Sequence, residues 1–154
     1  PLVSVLGIGG SGKTQLVLHF SHLNLSAYPG GVWFCDLSEA RSADGMCFAV
    51  ARDLDVPLHK GDPVAQLGHA IAGRGRCLVV LDNFKQVARH AEQTLGRWPD
   101  RANEAQFIVT SREVLGLRGE VPLPLPPLNV RKAIDLFIAR AAAAKRAFKP
   151  MSQG

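Results

Sequence analysis

The chain has no long hydrophobic run, and none of its apolar stretches approaches the roughly 18 residues that a membrane-spanning helix needs. Its N-terminus also lacks the charged start and apolar core of a secretory signal peptide. Cysteine is scarce: Cys35, Cys47 and Cys77 are odd in number, have no metal-ligand spacing and lie in apolar segments. These absences predict a cytoplasmic protein with buried, reduced thiols and no membrane partner.

The chain also lacks an initiating methionine and enters a strand-like segment directly after Pro1, so we expect a piece of a longer polypeptide. There is no internal repeat and no low-complexity tract. The 154 residues are 47% hydrophobic and 20% charged, as in a single globular domain. His19 and His22 share a predicted helix face without cysteine or acidic partners, which favours a surface pair over a metal site.

The net charge of +5 is confined to one end of the chain. Residues 1–130 hold equal numbers of basic and acidic side chains, whereas residues 131–154 hold six Lys or Arg against Asp135 alone. We therefore predict a neutral domain at 1–130 and a basic C-terminal helix and tail at 131–154 that leads toward absent downstream domains. Because the body is neutral, direct nucleic-acid binding is not expected, and the basic segment is better explained as a solvated or interdomain helix face.

What the chain does contain is the octapeptide Gly-Ile-Gly-Gly-Ser-Gly-Lys-Thr at residues 7–14. It fits G-x-x-x-x-G-K-[ST], the phosphate-binding loop, and stands between an apolar strand-like run and a helix-like stretch, as that motif requires. Glycine leaves no Cβ to block the approach of phosphates to the backbone N–H groups. The domain at 1–130 is therefore predicted to be a P-loop nucleotide-binding domain. Its predicted nucleotide-binding residues are Gly7, Gly9, Gly10, Ser11, Gly12, Lys13 and Thr14.

Two side chains of this loop have separate expected roles. Lys13 should reach the β- and γ-phosphates, and the Thr14 hydroxyl should take one position on Mg²⁺. The expected ligands are therefore ATP or ADP with Mg²⁺. The alternative is a flexible glycine-rich turn in which Lys13 is a surface charge.

Apolar runs at 2–6, 32–37, 77–82, 106–110 and 120–123 alternate with segments of helical apolar spacing. This pattern predicts an α/β fold, a P-loop NTPase three-layer sandwich with a mostly parallel five-stranded sheet. Right-handed crossovers would then bring Gly7, Asp36, Asp82 and Thr110 to one edge. An amphipathic helix is predicted over 84–95, and a last helix over 130–148.

The proline-rich stretch at 121–128 has the P-x-x-P spacing of a polyproline ligand. The apolar residues between its prolines favour instead an edge strand followed by a rigid connector.

Asp82 ends a solid apolar run, which is the Walker-B position of a carboxylate that holds Mg²⁺. An acid at a helix start is the alternative. Asn83 follows where many hydrolytic P-loop ATPases have an acidic general base. Its amide can orient water but cannot take a proton, and Asn is also a good helix N-cap. We therefore expect slow or absent ATP hydrolysis.

Arg112 follows the fourth predicted strand in Thr110-Ser111-Arg112. Its guanidinium could contact the γ-phosphate and so distinguish ATP from ADP, or it could be a surface charge at a strand end. Lys13, Asp82 and Arg112 are thus the side chains predicted to act on the reacting phosphates.

Four segments in the order 7–14, 31–37, 78–84 and 109–113 together resemble the STAND class of P-loop ATPases. They are most similar to nucleotide-binding domains of large bacterial transcriptional regulators related to the AP-ATPase/NB-ARC group. The resemblance implies a sheet in which the Thr110 strand lies between the P-loop strand and the Asp82 strand. It also implies a nucleotide-controlled switch within a multidomain regulator, which could self-associate.

Two features depart from the family pattern. Asn83 stands where many relatives have a second acid, which bears on hydrolysis. The helical and winged-helix domains that normally follow, with their G-L-P-L motif, are absent from this sequence, so we expect the nucleotide lid to be missing here. The alternative function is a P-loop small-molecule kinase, for which Asp36 or Glu39 would supply the carboxylate facing an acceptor hydroxyl.

Overall fold

A computed structural model describes residues 1–7, 12–125, 135, 138 and 139 of the chain. The strands are β1 Leu2–Leu6, β2 Val32–Asp36, β3 Leu78–Asp82, β4 Gln106–Ser111 and β5 Glu120–Pro124. The α-helices are α1 Lys13–Leu23, α2 Ala43–Leu54, α3 Pro63–Gly73 and the single-turn α4 Trp98–Arg101. Short 3₁₀ segments cover Leu25–Ala27, Phe84–His90 and Leu95–Arg97.

The five strands form one parallel sheet in the order β2-β3-β4-β1-β5. β4 lies between β1 and β3, as the family resemblance implied. In the register of the sheet, Leu6 of β1 lies opposite Ser111 of β4, and Asp36 of β2 lies opposite Asp82 of β3. The carboxyl ends of the strands therefore meet along one edge, where the predicted site residues were expected.

Each central strand is buried on both faces, which explains its continuous apolar run. In β3, Leu78 and Val80 pack with the buried face of α1, whereas Val79 and Leu81 pack with α2 and α3. Helices therefore cover both sides of the sheet. This confirms the predicted three-layer α/β sandwich.

β5 lies at the edge of the sheet beside β1 and contains Pro122 and Pro124. Proline has no N–H for a second neighbour, so an edge strand is where a sheet tolerates it. Leu123 between the two prolines is buried, 2% exposed. The edge-strand interpretation of this stretch is thus confirmed, whereas residues 126–128 lie outside the described part.

The amphipathic helix predicted over 84–95 is wrong. The structure has a 3₁₀ segment at Phe84–His90 that is kinked at Val87, where φ is −126°, and turns follow it. Phe84, Val87, Ala91 and Leu95 are nevertheless buried, so their spacing marked a buried face. A bent chain satisfies that spacing as well as a regular helix does, and sequence periodicity cannot separate the two.

The predicted helix over 130–148 and the predicted domain boundary at 130 lie outside the described residues, apart from Asp135, Ile138 and Ala139. These three are helical, and Ile138 packs against the core on the α1 side of the sheet. Within the described ranges, no helix is both long and apolar enough to cross a bilayer.

Gly30 precedes β2 at a point of close backbone approach. Its N–H donates to the Arg76 carbonyl at 2.8 Å, and a Cβ added here would lie 2.1 Å from the Arg74 carbonyl oxygen. The neighbouring atoms belong to the backbone, so they cannot move aside as a side chain can.

We expect Gly30→Ala to lower the free energy of unfolding by about 1–3 kcal/mol through this overpacking. Urea denaturation followed by circular dichroism measures it. Gly73→Ala is the matched control, because a Cβ there meets nothing within 4 Å, and this variant should be neutral or more stable by up to about 1 kcal/mol. Equal stability of both variants would contradict the close approach.

Candidate nucleotide-binding site

The two ends of the glycine-rich loop are fixed to the sheet edge and to α1. The Gly7 N–H donates to the Ser111 carbonyl of β4 at 3.2 Å, and Gly12 has a left-handed φ of 89° as it enters α1. The Gly12 carbonyl accepts the Leu16 N–H at 2.9 Å, the first helical bond. Gly9, Gly10 and Ser11, which the motif assigns to phosphate binding, lie outside the described residues.

The side chain of Lys13 reaches back to the start of the motif. Its Nζ donates to the Gly7 carbonyl at 2.5 Å. Burial is the main cause that lowers the pKa of Lys13, and the positive charges of Arg112 and Lys85 lower it further, whereas Asp82 acts in the opposite direction. Several cations therefore share one partly desolvated space, an arrangement suited to a polyanionic ligand.

Thr14 and Asp82 meet directly, although 68 residues separate them in the chain. The Thr14 Oγ1 hydroxyl donates to the two carboxylate oxygens of Asp82 at 2.9 and 3.1 Å. Asp82 is only 4% exposed. A hydroxyl and a carboxylate at this separation are hard oxygen donors of the kind that Mg²⁺ prefers, so the residues present fit a magnesium ion.

Thr110 is a third partner in this group, and sequence reasoning assigned it no role. Its Oγ1 donates to Asp82 Oδ1 at 2.6 Å and accepts the backbone N–H of Asn83 at 2.9 Å. The side chain is buried, and the bonds fix both the carboxylate and the chain that leaves β3. The sequence did offer one signal of this role: Thr110 carries a hydroxyl at the end of the strand that neighbours the Asp82 strand.

Asn83 does not cap a helix with its side chain, so that interpretation is wrong. Its backbone is left-handed, with φ 61° and ψ 47°, a conformation that asparagine tolerates better than most residues. Its Nδ2 group donates to Asp36 Oδ1 at 3.2 Å and to Asp82 Oδ2 at 3.3 Å. The amide thus bridges two carboxylates that would repel each other across neighbouring strands.

The Asp36 carboxylate is also held by the Ser38 N–H at 3.0 Å. This backbone bond is the main cause that lowers the pKa of Asp36, and the Asn83 amide adds to it. Both partners favour the ionised form. An ionised carboxylate that is already hydrogen-bonded is a poor proton acceptor. This argues against Asp36 as the general base of a small-molecule kinase.

A cleft of about 80 Å³ opens at this edge of the sheet. Its lining residues are Lys13, Asn83, Lys85, Thr110, Ser111 and Arg112. The structure therefore brings Arg112 beside Lys13, and it adds Lys85, which sequence reasoning missed. No motif marks Lys85, and only its position three residues after Asp82 hinted at it.

A larger cleft of about 520 Å³ lies at the opposite, amino-terminal edge of the sheet. It is lined by the start of β1, by Gly96 and Pro99, and by Arg118 and Gly119 near β5. It contains neither the glycine-rich loop nor Asp82. The chemistry of the side chains, and not cavity size, identifies the smaller cleft as the candidate site.

Comparison with curated proteins shows what the chain is similar to. It is 29% identical over 152 residues to a Mycobacterium tuberculosis protein provisionally named an HTH-type transcriptional regulator, covering 96% of this chain and 17% of that protein. It is 28% identical over 143 residues to the regulatory protein AfsR of Streptomyces coelicolor, covering 87% of this chain and 14% of AfsR. The chain thus spans less than a fifth of either relative. It matches no protein-family model.

Solved structures show the same fold. Cdc6p from Pyrobaculum aerophilum aligns with a TM-score of 0.62 and 18% identity, covering 93% of this chain and 43% of that one. Drosophila ORC bound to DNA aligns at 0.60 and 21% identity, covering 83% of this chain and 38% of that one. The chain has the P-loop NTPase fold. Identities this low establish the fold alone and say nothing of ligands.

We expect Thr110→Val to lower the free energy of unfolding by about 1–3 kcal/mol, because it leaves the Asn83 N–H without its partner and removes one of the two hydroxyl groups that donate to Asp82 Oδ1. Chemical denaturation measures the loss. Thr110→Ser keeps the hydroxyl and should retain most of the stability. A valine variant as stable as the wild type would show that these hydrogen bonds do not hold the site together.

Proposed function

We propose that the chain is an ATP- and ADP-binding switch module of a larger transcriptional regulator, with slow or absent hydrolysis. The observation that carries this proposal is the contact of Thr14 with Asp82 at the mouth of a glycine-rich loop. That contact joins the two predicted magnesium-side residues across the sheet edge. The similarity to segments of longer bacterial regulators supports the proposal that the chain is part of a larger regulator.

In this proposal each side chain has a distinct part in binding. Lys13 and the N-terminus of α1 attract the phosphates. Thr14 and Asp82 would hold Mg²⁺, and Thr110 keeps the Asp82 carboxylate in place. When bound, the ion would neutralise charge on the phosphate oxygens.

The environment of Asn83 is the reason to expect slow hydrolysis. Its side-chain amide cannot accept a proton from water, and the Nδ2 group of that amide already donates to Asp36 and Asp82. Asp36 and Asp82 already accept these and other hydrogen bonds, so neither carboxylate is available as a dedicated general base for water. The site is better suited to hold a nucleotide than to cleave it.

Arg112 is the proposed link between nucleotide state and neighbouring domains. It directly follows Ser111, whose carbonyl accepts the Gly7 N–H from the start of the phosphate loop. A contact between Arg112 and the γ-phosphate of ATP would favour one position of the chain after β4. ADP lacks this phosphate, so the chain would be released when ADP is bound.

The three buried cysteines, all free thiols, agree with a module that works in the cytoplasm.

Isothermal titration of ATP and ADP, each with Mg²⁺, into the 154-residue chain tests the proposal. We expect saturable binding with a Kd well below 1 mM, and Lys13→Ala should raise the Kd by at least about tenfold, because a cation on the phosphates is lost. Lys60→Ala, at an exposed position outside the site, is the control and should bind like the wild type. A folded chain that binds neither nucleotide would refute the function.

A further inference from the structure

Lys85 is held at the mouth of the nucleotide cleft by the residues on both sides of it. Before it, the Asn83 N–H is bonded to Thr110 Oγ1 at 2.9 Å, and Phe84 is fully buried. After it, Val87 is also fully buried. The backbone at Lys85 is therefore pinned to the core, while its own side chain is exposed and lines the cleft.

Three cations consequently face one small space. Lys13, Lys85 and Arg112 line the same cleft of about 80 Å³, and they come from α1, from the 3₁₀ segment Phe84–His90 and from the bend after β4. Within the described part of the chain, the side chains of Lys85 and Arg112 make no hydrogen bond and no ion pair. The ion pairs described there, Arg52–Asp53 and Arg97–Asp62, lie elsewhere.

The carboxylates of Asp82 and Asp36, which lie at this edge of the sheet, are already engaged by other partners. Asp82 is already engaged by two hydroxyl groups and the Asn83 amide, and it is expected to hold the metal. Asp36 lies on the far side of Asn83, bonded to that amide and to the Ser38 N–H. The three positive charges repel one another, and an anion bound between them would offset this repulsion. The cleft is therefore suited to a ligand that carries several phosphate charges.

We propose that Lys85 is a third phosphate-binding cation, which together with Arg112 contacts the terminal phosphate of ATP and makes the site prefer ATP to ADP. This inference rests on the proposed function. Lys13 and the loop serve the phosphates that both nucleotides share. ATP carries one more phosphoryl group and about one more negative charge than ADP, and Lys85 and Arg112 supply the matching positive charge.

The test measures the Kd of ATP and of ADP, each with Mg²⁺ at constant ionic strength, for wild type, Lys85→Ala, Lys85→Arg and Arg89→Ala. We expect Lys85→Ala to weaken ATP binding by about 5- to 20-fold and ADP binding by less than about twofold. Lys85→Arg keeps the charge and should retain most of the preference. Arg89→Ala removes an exposed charge from the same 3₁₀ segment outside the cleft and should change neither Kd.

Three results would overturn the inference. Lys85→Ala could leave ATP binding unchanged, weaken ATP and ADP binding equally, or do no more than Arg89→Ala. In each case wild-type binding and the loss in Lys13→Ala would still stand, so the proposed function would survive. A wild type that binds neither nucleotide would refute both proposals.

Discussion

The Asp82 carboxylate is the group on which the architecture of the site depends. It ends β3, and it accepts hydrogen bonds from Thr14 at the start of α1 and from Thr110 at the end of β4. Because Asp82 is almost fully buried, these bonds are made in a poorly solvated environment, where they are strong and costly to lose. Through one side chain, the start of α1, the proposed metal position and the strand that leads to Arg112 are held in a common geometry.

The residue after Asp82 bears on whether the proposed site hydrolyses a nucleotide or only binds it. An acid at residue 83 would stand beside Asp36 and Asp82, and the three negative charges would repel one another. Asn83 provides a neutral bridge instead, and its left-handed backbone turns the chain toward the cleft. Asn83 thus supports the geometry of the site and offers no proton acceptor at this position, which supports the proposed switch over an efficient hydrolase.

Much of the fold could be predicted from the sequence because its signals are local. The glycine-rich loop and the apolar strands indicated the sheet, and the family resemblance implied the insertion of β4 between β1 and β3. The course of the chain after Asp82 could not be predicted, since burial of Phe84 and Val87 is compatible with either a helix or a kinked 3₁₀ segment. Thr110 and Lys85 were missed because their roles depend on neighbours that only the folded sheet provides.

The most direct test of this account is a double-mutant cycle on ADP binding with and without Mg²⁺, using Thr14→Ala, Asp82→Asn and the double variant. If Thr14 and Asp82 hold one metal ion, Mg²⁺ should tighten ADP binding to the wild type by about tenfold or more. Each single variant should lose that gain, and the double variant should lose no more than either. Full Mg²⁺ dependence in either single variant, or losses that simply add, would contradict a shared metal site.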